Sequence, residues 1–244
     1  MKKHDFYLNL VDKKGRESLF REITNIKEFI SMKLTMMELL FSQWDGSIID
    51  VKSCSMPYLH IDDYNLHRAF IVSNNKIFSF GIGFTIQTFE NHIEAFRLKQ
   101  KKITAKHIAE AQAILKLCDD KTLYKDIDDD DLEQAPSQDS KMFFEYLLFE
   151  EPAYIRYDYD KRTKSEVKHP KHHLDVNFSP LYSYKIGLPR GIKETEYIRV
   201  LDKTEFCRKL NLNMISNRFQ KGNYHRNNLK KWKKKRNYTM ANHH

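Results

Sequence analysis

Three short segments between residues 155 and 188 alternate apolar and polar side chains, as strands of a half-buried sheet do. If the three strands are neighbours, their polar positions collect on one face of the sheet. These positions hold Arg156, Asp158, His173, Asp175 and Lys185. An imidazole transfers protons near neutral pH, a carboxylate orients it, and a guanidinium or ammonium balances negative charge at phosphorus. The set therefore predicts acid–base chemistry on a phosphodiester.

The apolar positions of the same segments predict how this sheet is oriented. They are Ile155, Tyr157, Tyr159, Leu174, Val176 and Phe178. We expect this apolar face to pack on the core and the charged face to point away from it. A simpler interpretation stays open, because the solvent side of an ordinary antiparallel sheet also carries charged pairs.

A histidine-rich turn precedes the second segment. His169, His172 and His173 surround Pro170, which stiffens the turn and favours an extended His169. Imidazoles that converge with a carboxylate such as Asp175 hold metal ions, but the spacing matches no recognised zinc motif, and we predict no resident metal. The candidate catalytic residues are Arg156, Asp158, His169, His173, Asp175 and Lys185.

A magnesium-dependent nuclease is an alternative for the same region. Glu166 and Lys168 form an E-x-K pattern, and Asp158 or Asp160 lies upstream. Such nucleases place a carboxylate pair and a lysine around Mg²⁺. The pattern is common by chance and falls here in a polar loop, so Mg²⁺ is kept only as an alternative cofactor.

The positive charge of the chain is concentrated near its C-terminal end. Eleven Lys and Arg residues and no Asp or Glu lie between Arg208 and Arg236, and removing them from the net charge of +9 leaves −2 for the rest. Such a segment neutralises phosphates and releases counterions, and Trp232 is placed to stack on an unpaired base. A solvated tail, or a contact with acidic lipid or protein, stays open. The predicted nucleic-acid-binding residues are Arg218, Lys221, Arg226, Lys230, Lys231, Trp232, Lys233, Lys234, Lys235 and Arg236.

An acidic segment divides the chain. Between residues 119 and 133, eight carboxylates accompany two lysines, a net charge of −6. Asp126, Asp128 and Asp130 have the spacing that opens an EF-hand loop, but the glycine and the bidentate glutamate that calcium requires are missing. We interpret residues 119–140 as a solvated linker, with shielding of the basic tail as an alternative.

The elements that must position these residues are predicted from periodicity. Apolar residues at three- and four-residue steps predict helices, and Asn74 and Asn75 between two apolar runs predict a hairpin. Thr104 is a predicted N-cap. Small residues after the hairpin turn, among them Gly81 and Gly83, would let a helix or ligand approach closely. We predict a strand at 5–11, a helix at 17–43, a hairpin at 68–72 and 77–84, one or two helices in 88–118, a helix at 140–149 and then three strands.

The composition excludes several classes of protein. With 244 residues, 41% of them hydrophobic, the chain can bury a core without a disulfide or a metal. Neither G-x-G-x-x-G nor the P-loop pattern occurs, and no apolar run approaches the length of a membrane span. Three widely spaced cysteines without C-x-x-C, and no secretory signal, predict a cytoplasmic protein.

The block formed by residues 154–160, 169–174 and 185–189 resembles an uncharacterised bacterial family, domain of unknown function 2290. Its members show an I-R-F-D-F/Y-D strand, an H-P-K-x-H-L turn and an R-I-P strand before a C-terminal helix. Here Lys185 stands in place of the arginine, and Gly187 and Leu188 are inserted before the proline. The family brings no established activity. A similar H-P-x-x-H turn gives a more distant likeness to small toxins of some toxin–antitoxin pairs.

The resemblance implies that the Arg156 strand and the histidine turn form one recurring unit. Together with the charge pattern, it leads us to expect an α+β fold, an antiparallel sheet packed by helices, in one domain at 1–218 with a basic tail at 219–244. We expect a nucleic-acid-binding protein, with nuclease or ribonuclease activity left open, that acts on RNA or DNA in bacterial host defence or a toxin–antitoxin pair. The alternative is a non-catalytic subunit that docks on a protein partner and holds RNA or DNA through its tail.

Overall fold

A computed structural model describes residues 5–46, 54–118, 136–161, 170–178 and 183–201 of the chain. The strands in these ranges are β1 (Asp5–Asn9), β2 (Tyr58–Asp62), β3 (Arg68–Val72), β4 (Lys76–Gly81), β5 (Thr85–Phe89), β6 (His92–Leu98), β7 (Lys101–Ile103), β8 (Ile155–Tyr159), β9 (His172–Val176) and β10 (Tyr184–Gly187). The helices are α1 (Lys13–Leu19), α2 (Ile26–Gln43), α3 (Ala105–Leu117), α4 (Gln138–Phe149) and α5 (Glu194–Leu201). Among these helices, none is both long enough and apolar enough to cross a membrane.

The strands form two antiparallel sheets. The larger sheet has seven strands in the order β1-β2-β3-β4-β8-β9-β10, and the smaller has three in the order β5-β6-β7. Helices and antiparallel sheets of this kind confirm the predicted α+β class. In the larger sheet β8 pairs directly with β4, although residues 82–154 lie between these two strands in the chain. The strands that carry the charged residues, β8, β9 and β10, therefore continue the sheet from the hairpin of β3 and β4.

Helix α2 lies at the centre of the main core. Its buried side chains cover more than half of its circumference, and Ser31, Glu38 and Ser42 form an exposed stripe on the remaining side. Phe29 packs edge-on against Phe80 of β4, with ring centroids 5.6 Å apart. Phe41 packs against Phe96 of β6, with centroids 4.8 Å apart. Helix α2 therefore contacts both sheets and joins them in one core.

The prediction of one helix at 17–43 is wrong in its first part, because α1 ends at Leu19 and a loop separates it from α2, which begins at Ile26. Asn25 caps α2 by accepting a hydrogen bond from the backbone N–H of Glu28 at 2.9 Å. The Glu28 carboxylate in turn accepts one from the backbone N–H of Thr24 at 2.8 Å. This capping fixes the start of α2. Ile23, which the periodic pattern placed in the helix, is buried in the loop between α1 and α2.

The predicted helices in 88–118 are correct only in their second half. Residues 85–103 form β5, β6 and β7, and α3 follows with Thr104 as its N-cap, as predicted. Glu90 and Asn91 have positive φ angles of 46° and 64° and join β5 to β6. Ile93 and Ala95 are buried two residues apart in β6. A search for helical three- and four-residue steps misses this strand period.

The remaining predicted elements are confirmed: β1, the hairpin of β3 and β4, helix α4, and the three strands β8, β9 and β10. Close approach of a helix at the small residues is confirmed at Gly83. A Cβ atom at this position would lie 1.5 Å from the hydroxyl oxygen of Tyr146 in α4. The glycine therefore allows α4 to pack where it does.

The chain divides into two compact units, residues 1–194 and 195–244. Of the second unit, the structure describes residues 195–201, which continue α5. The basic tail at 219–244 with its predicted nucleic-acid-binding residues from Arg218 onward, the E-x-K pattern, His169, and residues 119–135 of the acidic linker lie outside the described residues.

Candidate functional site

Antiparallel pairing of the last three strands brings five of the predicted site residues together. Arg156 of β8 lies opposite Asp175 of β9, and Asp158 lies opposite His173. On the other side of β9, Lys185 of β10 lies opposite Asp175. Residues directly opposite each other in an antiparallel pair share a face, so these five side chains form one cluster. We call it the charge cluster.

The charge cluster does not point away from the core, and this expectation from the sequence is wrong. Arg156 lies opposite Phe78 of β4, whose ring packs against Phe20 in the main core. Arg156, Asp158 and Asp175 are each 8% exposed, and His173 is 1% exposed. These four residues therefore do not form the solvent side of a sheet either. The charged face is the continuation of the core face of β4.

The assignment of Phe178 to the Leu174 face is also wrong. Asn177 adopts a positive φ of 62°, which ends the alternation of β9. Phe178 then packs against Phe29 and Tyr154 of the main core, with ring centroids 5.3 Å and 5.8 Å away. Leu174 is buried on the opposite face of the sheet, so both faces of β9 carry buried residues.

Arg156 is the central cation of the charge cluster. Its Nε lies 2.7 Å from Asp158 Oδ2, and its Nη2 lies 2.6 Å from Asp175 Oδ2. Its third nitrogen, Nη1, lies 3.5 Å from the carboxylate of Glu22 in the loop between α1 and α2. The guanidinium also lies over the Phe78 ring, 5.9 Å from its centroid. Carboxylates on three sides satisfy a buried charge that would otherwise be costly.

Asp175 links Arg156 to Lys185. The Lys185 ammonium donates a short hydrogen bond to Asp175 Oδ1, while Oδ2 accepts the bond from Arg156. Lys185 Nζ also lies 3.3 Å from His173 Nε2, and His173 Nδ1 lies 2.8 Å from the carbonyl oxygen of Pro170. Since a carbonyl only accepts, Nδ1 carries the hydrogen and Nε2 is left as the acceptor for Lys185.

A glycine of β10 leaves room for the turn before β9. Gly187 lies opposite His173, and a Cβ atom there would lie 2.8 Å from Cγ of Pro170. Only a residue without a side chain lets the proline ring pack this closely. The same turn supplies the Pro170 carbonyl group that accepts the hydrogen bond from His173 Nδ1.

The electrostatic environment keeps both members of the central ion pair charged. Burial raises the pKa of Asp175, but the hydrogen bond from Lys185 and the charges of Arg156 and Lys185 outweigh it and hold that pKa below its ordinary value. Burial lowers the pKa of Arg156, and the charge of Asp158, with Tyr154 and Asp175, more than offsets this and raises it.

An open groove of about 550 Å³ gives access to one side of the charge cluster. Its charged lining consists of Glu22, Arg156, Asp175 and Lys185, and Ile23 and Phe178 contribute apolar walls. Lys185 is the most accessible member, with 36% of its side chain exposed. His173 and Asp158 are not part of the lining. The groove therefore presents two cations to a ligand, together with the buried Asp175 carboxylate and the exposed Glu22 carboxylate.

Asp158, His173 and Asp175 also have the residue types of a metal site, with ligand atoms within 4.8 Å of one another. The donor set fits a cation poorly, because Arg156 contacts both carboxylates and Lys185 contacts Asp175 and the histidine. A divalent ion would have to displace two side chains of its own charge sign. The three residues are better explained as the carboxylate and imidazole partners of Arg156 and Lys185.

Sequence reasoning missed two parts of the site. Glu22 lies more than 130 residues from Arg156 in the chain, and no pattern in the sequence links them. Pro170 contributes its backbone carbonyl group, and the pattern of side chains in a sequence does not show which backbone groups take part in a site.

Comparison of the chain with protein-family models, with curated proteins and with solved structures gave no match. The resemblance to domain of unknown function 2290 thus stays a prediction.

Proposed function

We propose that this protein binds nucleic acid and that its groove contacts a phosphodiester group through Lys185 and Arg156. The observation that carries the proposal is the convergence of these two cations on one groove, each held by Asp175. Arginine and lysine are the side chains that recognise phosphate oxygens most often, arginine by its planar fork and lysine by a point charge. Preorganised donors lose little entropy on binding.

The basic tail supports the same function from the sequence. Its positive charges would neutralise backbone phosphates without regard to base sequence, which supplies most of the affinity of non-specific binding. The groove would then add a localised contact to this diffuse attraction. The acidic segment between residues 119 and 133 gives the protein an opposite pole that nucleic acid would avoid.

Binding is favoured over cleavage by the burial of the histidine. A general acid or base must come within hydrogen-bond reach of the proton it transfers. His173 is 1% exposed and does not line the groove. Cleavage is a second candidate, favoured by the 3.3 Å contact that places His173 directly behind the accessible Lys185. In that case Lys185 would neutralise charge at phosphorus, and Mg²⁺ would be an optional addition.

The cellular setting rests on the sequence. The cysteine pattern supports a cytoplasmic location, and the resemblance to an uncharacterised bacterial family and to small toxins supports a role in host defence or a toxin–antitoxin pair. A protein partner that docks on the sheet-and-helix body is part of the alternative in which the chain is a non-catalytic subunit.

Binding of RNA and DNA oligonucleotides to the full chain tests the proposal. Lys185→Gln should weaken binding and lower the slope of log affinity against log salt by about 1, because one phosphate contact is lost. Lys102→Gln is the matched control, since Lys102 is 41% exposed and also pairs with a carboxylate, Glu94, but lies away from the groove. Equal affinities and slopes for the two variants would refute the groove contact.

The same samples separate binding from cleavage. Oligonucleotides are incubated with the protein in Mg²⁺ and in EDTA, and the products are resolved on a gel. Cleavage that His173→Gln abolishes, with binding retained, would establish the histidine as the acid–base group, since such a group contributes about 10²–10⁴-fold. Binding without cleavage in either buffer supports the binding function and the non-catalytic alternative.

A further inference from the structure

The three carboxylates around Arg156 differ in how exposed they are and in how closely they contact the guanidinium. Asp158 and Asp175 have side chains only 12% and 11% exposed, and they lie within 2.7 Å of Nε and Nη2. Glu22 is 70% exposed, and its Oε1 is 3.5 Å from Nη1, beyond the usual range of an N–H···O hydrogen bond. Two partners of the guanidinium are therefore structural, while the third is a loosely held carboxylate at the groove.

The loop that carries Glu22 is anchored independently of this carboxylate. Arg21 Nη2 donates to the Glu28 carboxylate at 2.7 Å, and the backbone N–H and hydroxyl of Thr24 donate to the same group at 2.8 Å. Glu22 thus lies between two anchored residues. Its side chain can leave Arg156 by rotating about its own bonds, without any change in the backbone of the loop.

The burial of Arg156 restricts which phosphate groups can replace the Glu22 carboxylate. Arg156 is only 8% exposed, so a phosphate must enter the groove to reach Nη1. In a duplex the phosphates are carried on a stiff rod, which limits how far one of them can enter a groove. An unpaired strand is flexible, and proteins commonly bind it in positively charged grooves. The apolar walls formed by Ile23 and Phe178 are also suited to an unpaired base or sugar.

We infer that Glu22 occupies the position of the ligand anion, and that a phosphate of an unpaired strand binds by exchanging with this carboxylate at Arg156. The inference rests on the proposed nucleic-acid binding and adds its ligand class and its internal competitor. The exchange leaves the net charge around Arg156 unchanged, because one singly charged anion replaces another. It also selects for anions, because a neutral ligand that displaced Glu22 would leave Arg156 with one carboxylate fewer.

The expected effect follows from the exposure of the pair. Exposed ion pairs are weak, so loss of Glu22 should raise the affinity for a single-stranded oligonucleotide by about two- to five-fold. The test compares Glu22→Gln with Glu17→Gln in the full chain. Glu17 is also 70% exposed and ion-paired, with Lys13, but it does not line the groove. Both variants gain one unit of positive charge, so any difference between them belongs to the groove.

The measurement is fluorescence anisotropy with one oligonucleotide sequence, offered as single-stranded RNA, single-stranded DNA and duplex DNA. We expect Glu22→Gln to bind the single strands more tightly than Glu17→Gln and to bind the duplex equally. Equal binding of the single strands by the two variants, or weaker binding by Glu22→Gln, overturns the inference; weaker binding would make Glu22 a ligand contact. A gain on the duplex as large as on the single strands overturns the assigned ligand class.

Lys185→Gln in the same assay distinguishes the two proposals. If Lys185→Gln loses affinity while Glu22→Gln equals its control, the groove binds nucleic acid and only the exchange at Arg156 is refuted. If Lys185→Gln binds as well as its control Lys102→Gln, the groove contact itself is refuted, and the inference about Glu22 falls with it.

Discussion

Replacement of Asp175 by Asn tests whether the charge cluster holds the last three strands together. The substitution keeps the shape of the side chain and removes its charge. Asp175 accepts hydrogen bonds from Arg156 and from Lys185, and it is 8% exposed. Asn retains one acceptor oxygen and introduces an NH₂ group that faces a cation. One charged hydrogen bond is therefore lost, and the attraction to both cations weakens.

The expected magnitude is a loss of about 2–4 kcal/mol in the free energy of unfolding. A hydrogen bond to a charged group contributes about 1.5–3 kcal/mol, and removal of one partner from a buried ion pair costs about 3–5 kcal/mol. The value lies below the upper limit because Arg156 keeps Asp158, and Lys185 is exposed enough to be hydrated. Urea denaturation of both proteins at neutral pH measures the difference.

The free energy of unfolding should also depend on pH, in a direction that the pKa of Asp175 determines. The pKa of folded Asp175 lies below its ordinary value of about 3.9, so the unfolded chain binds more protons than the folded one when the pH falls into this range. The stabilisation by Asp175 is fully present above about pH 4 and is lost as the pH falls through the folded pKa. The stability gap between wild type and Asp175→Asn should thus be constant from neutral pH to about pH 5 and shrink below pH 4.

A surface pair serves as the control. Asp139 accepts a hydrogen bond from Lys101 at 2.9 Å, but both side chains are more than half exposed. Asp139→Asn should leave the unfolding curve nearly unchanged at neutral pH. If Asp175→Asn were as stable as this control, or if its stability gap did not change on acidification, the cluster would not have the structural role assigned to it.

Three further predictions concern other parts of the chain. Glu150→Gln should cost about 3–5 kcal/mol in urea denaturation, because it leaves the fully buried Lys33, whose pKa burial lowers, without its charged partner; a smaller cost than that of Lys33→Met would contradict this. His173→Ala and Leu174→Ala should both destabilise, the first by about 1–3 and the second by about 2–5 kcal/mol, since both residues are buried on opposite faces of β9. Deletion of 219–244 should leave the thermal melt unchanged and reduce the salt slope of nucleic-acid binding by several units; an unchanged slope would exclude the tail from the interface.

Local sequence was sufficient for elements whose signals lie within a few residues. The hairpin of β3 and β4, the N-cap at Thr104 and the strands β8–β10 are all predictable, since turn, capping and alternation patterns depend on neighbouring residues. The same alternation placed Arg156, Asp175 and Lys185 on a common face, as the observed pairing has them. The strands in 85–103 were missed because β6 is a short mixed run that helical steps fit almost as well.

The sequence by itself determined which side chains of the charged strands lie together, but only the tertiary structure decided where that face points. Alternation fixes the two faces of a strand relative to each other, and it does not say which face is inside. Pairing of β8 with β4 sets Arg156 beside Phe78, and β4 is separated from β8 by more than 70 residues of chain. That pairing buries the charges on the core side, and the loop between α1 and α2 brings Glu22 to the same guanidinium. Contacts between segments so distant in the chain depend on the packing of the large sheet against α2 and the loop that precedes it, which no local pattern encodes.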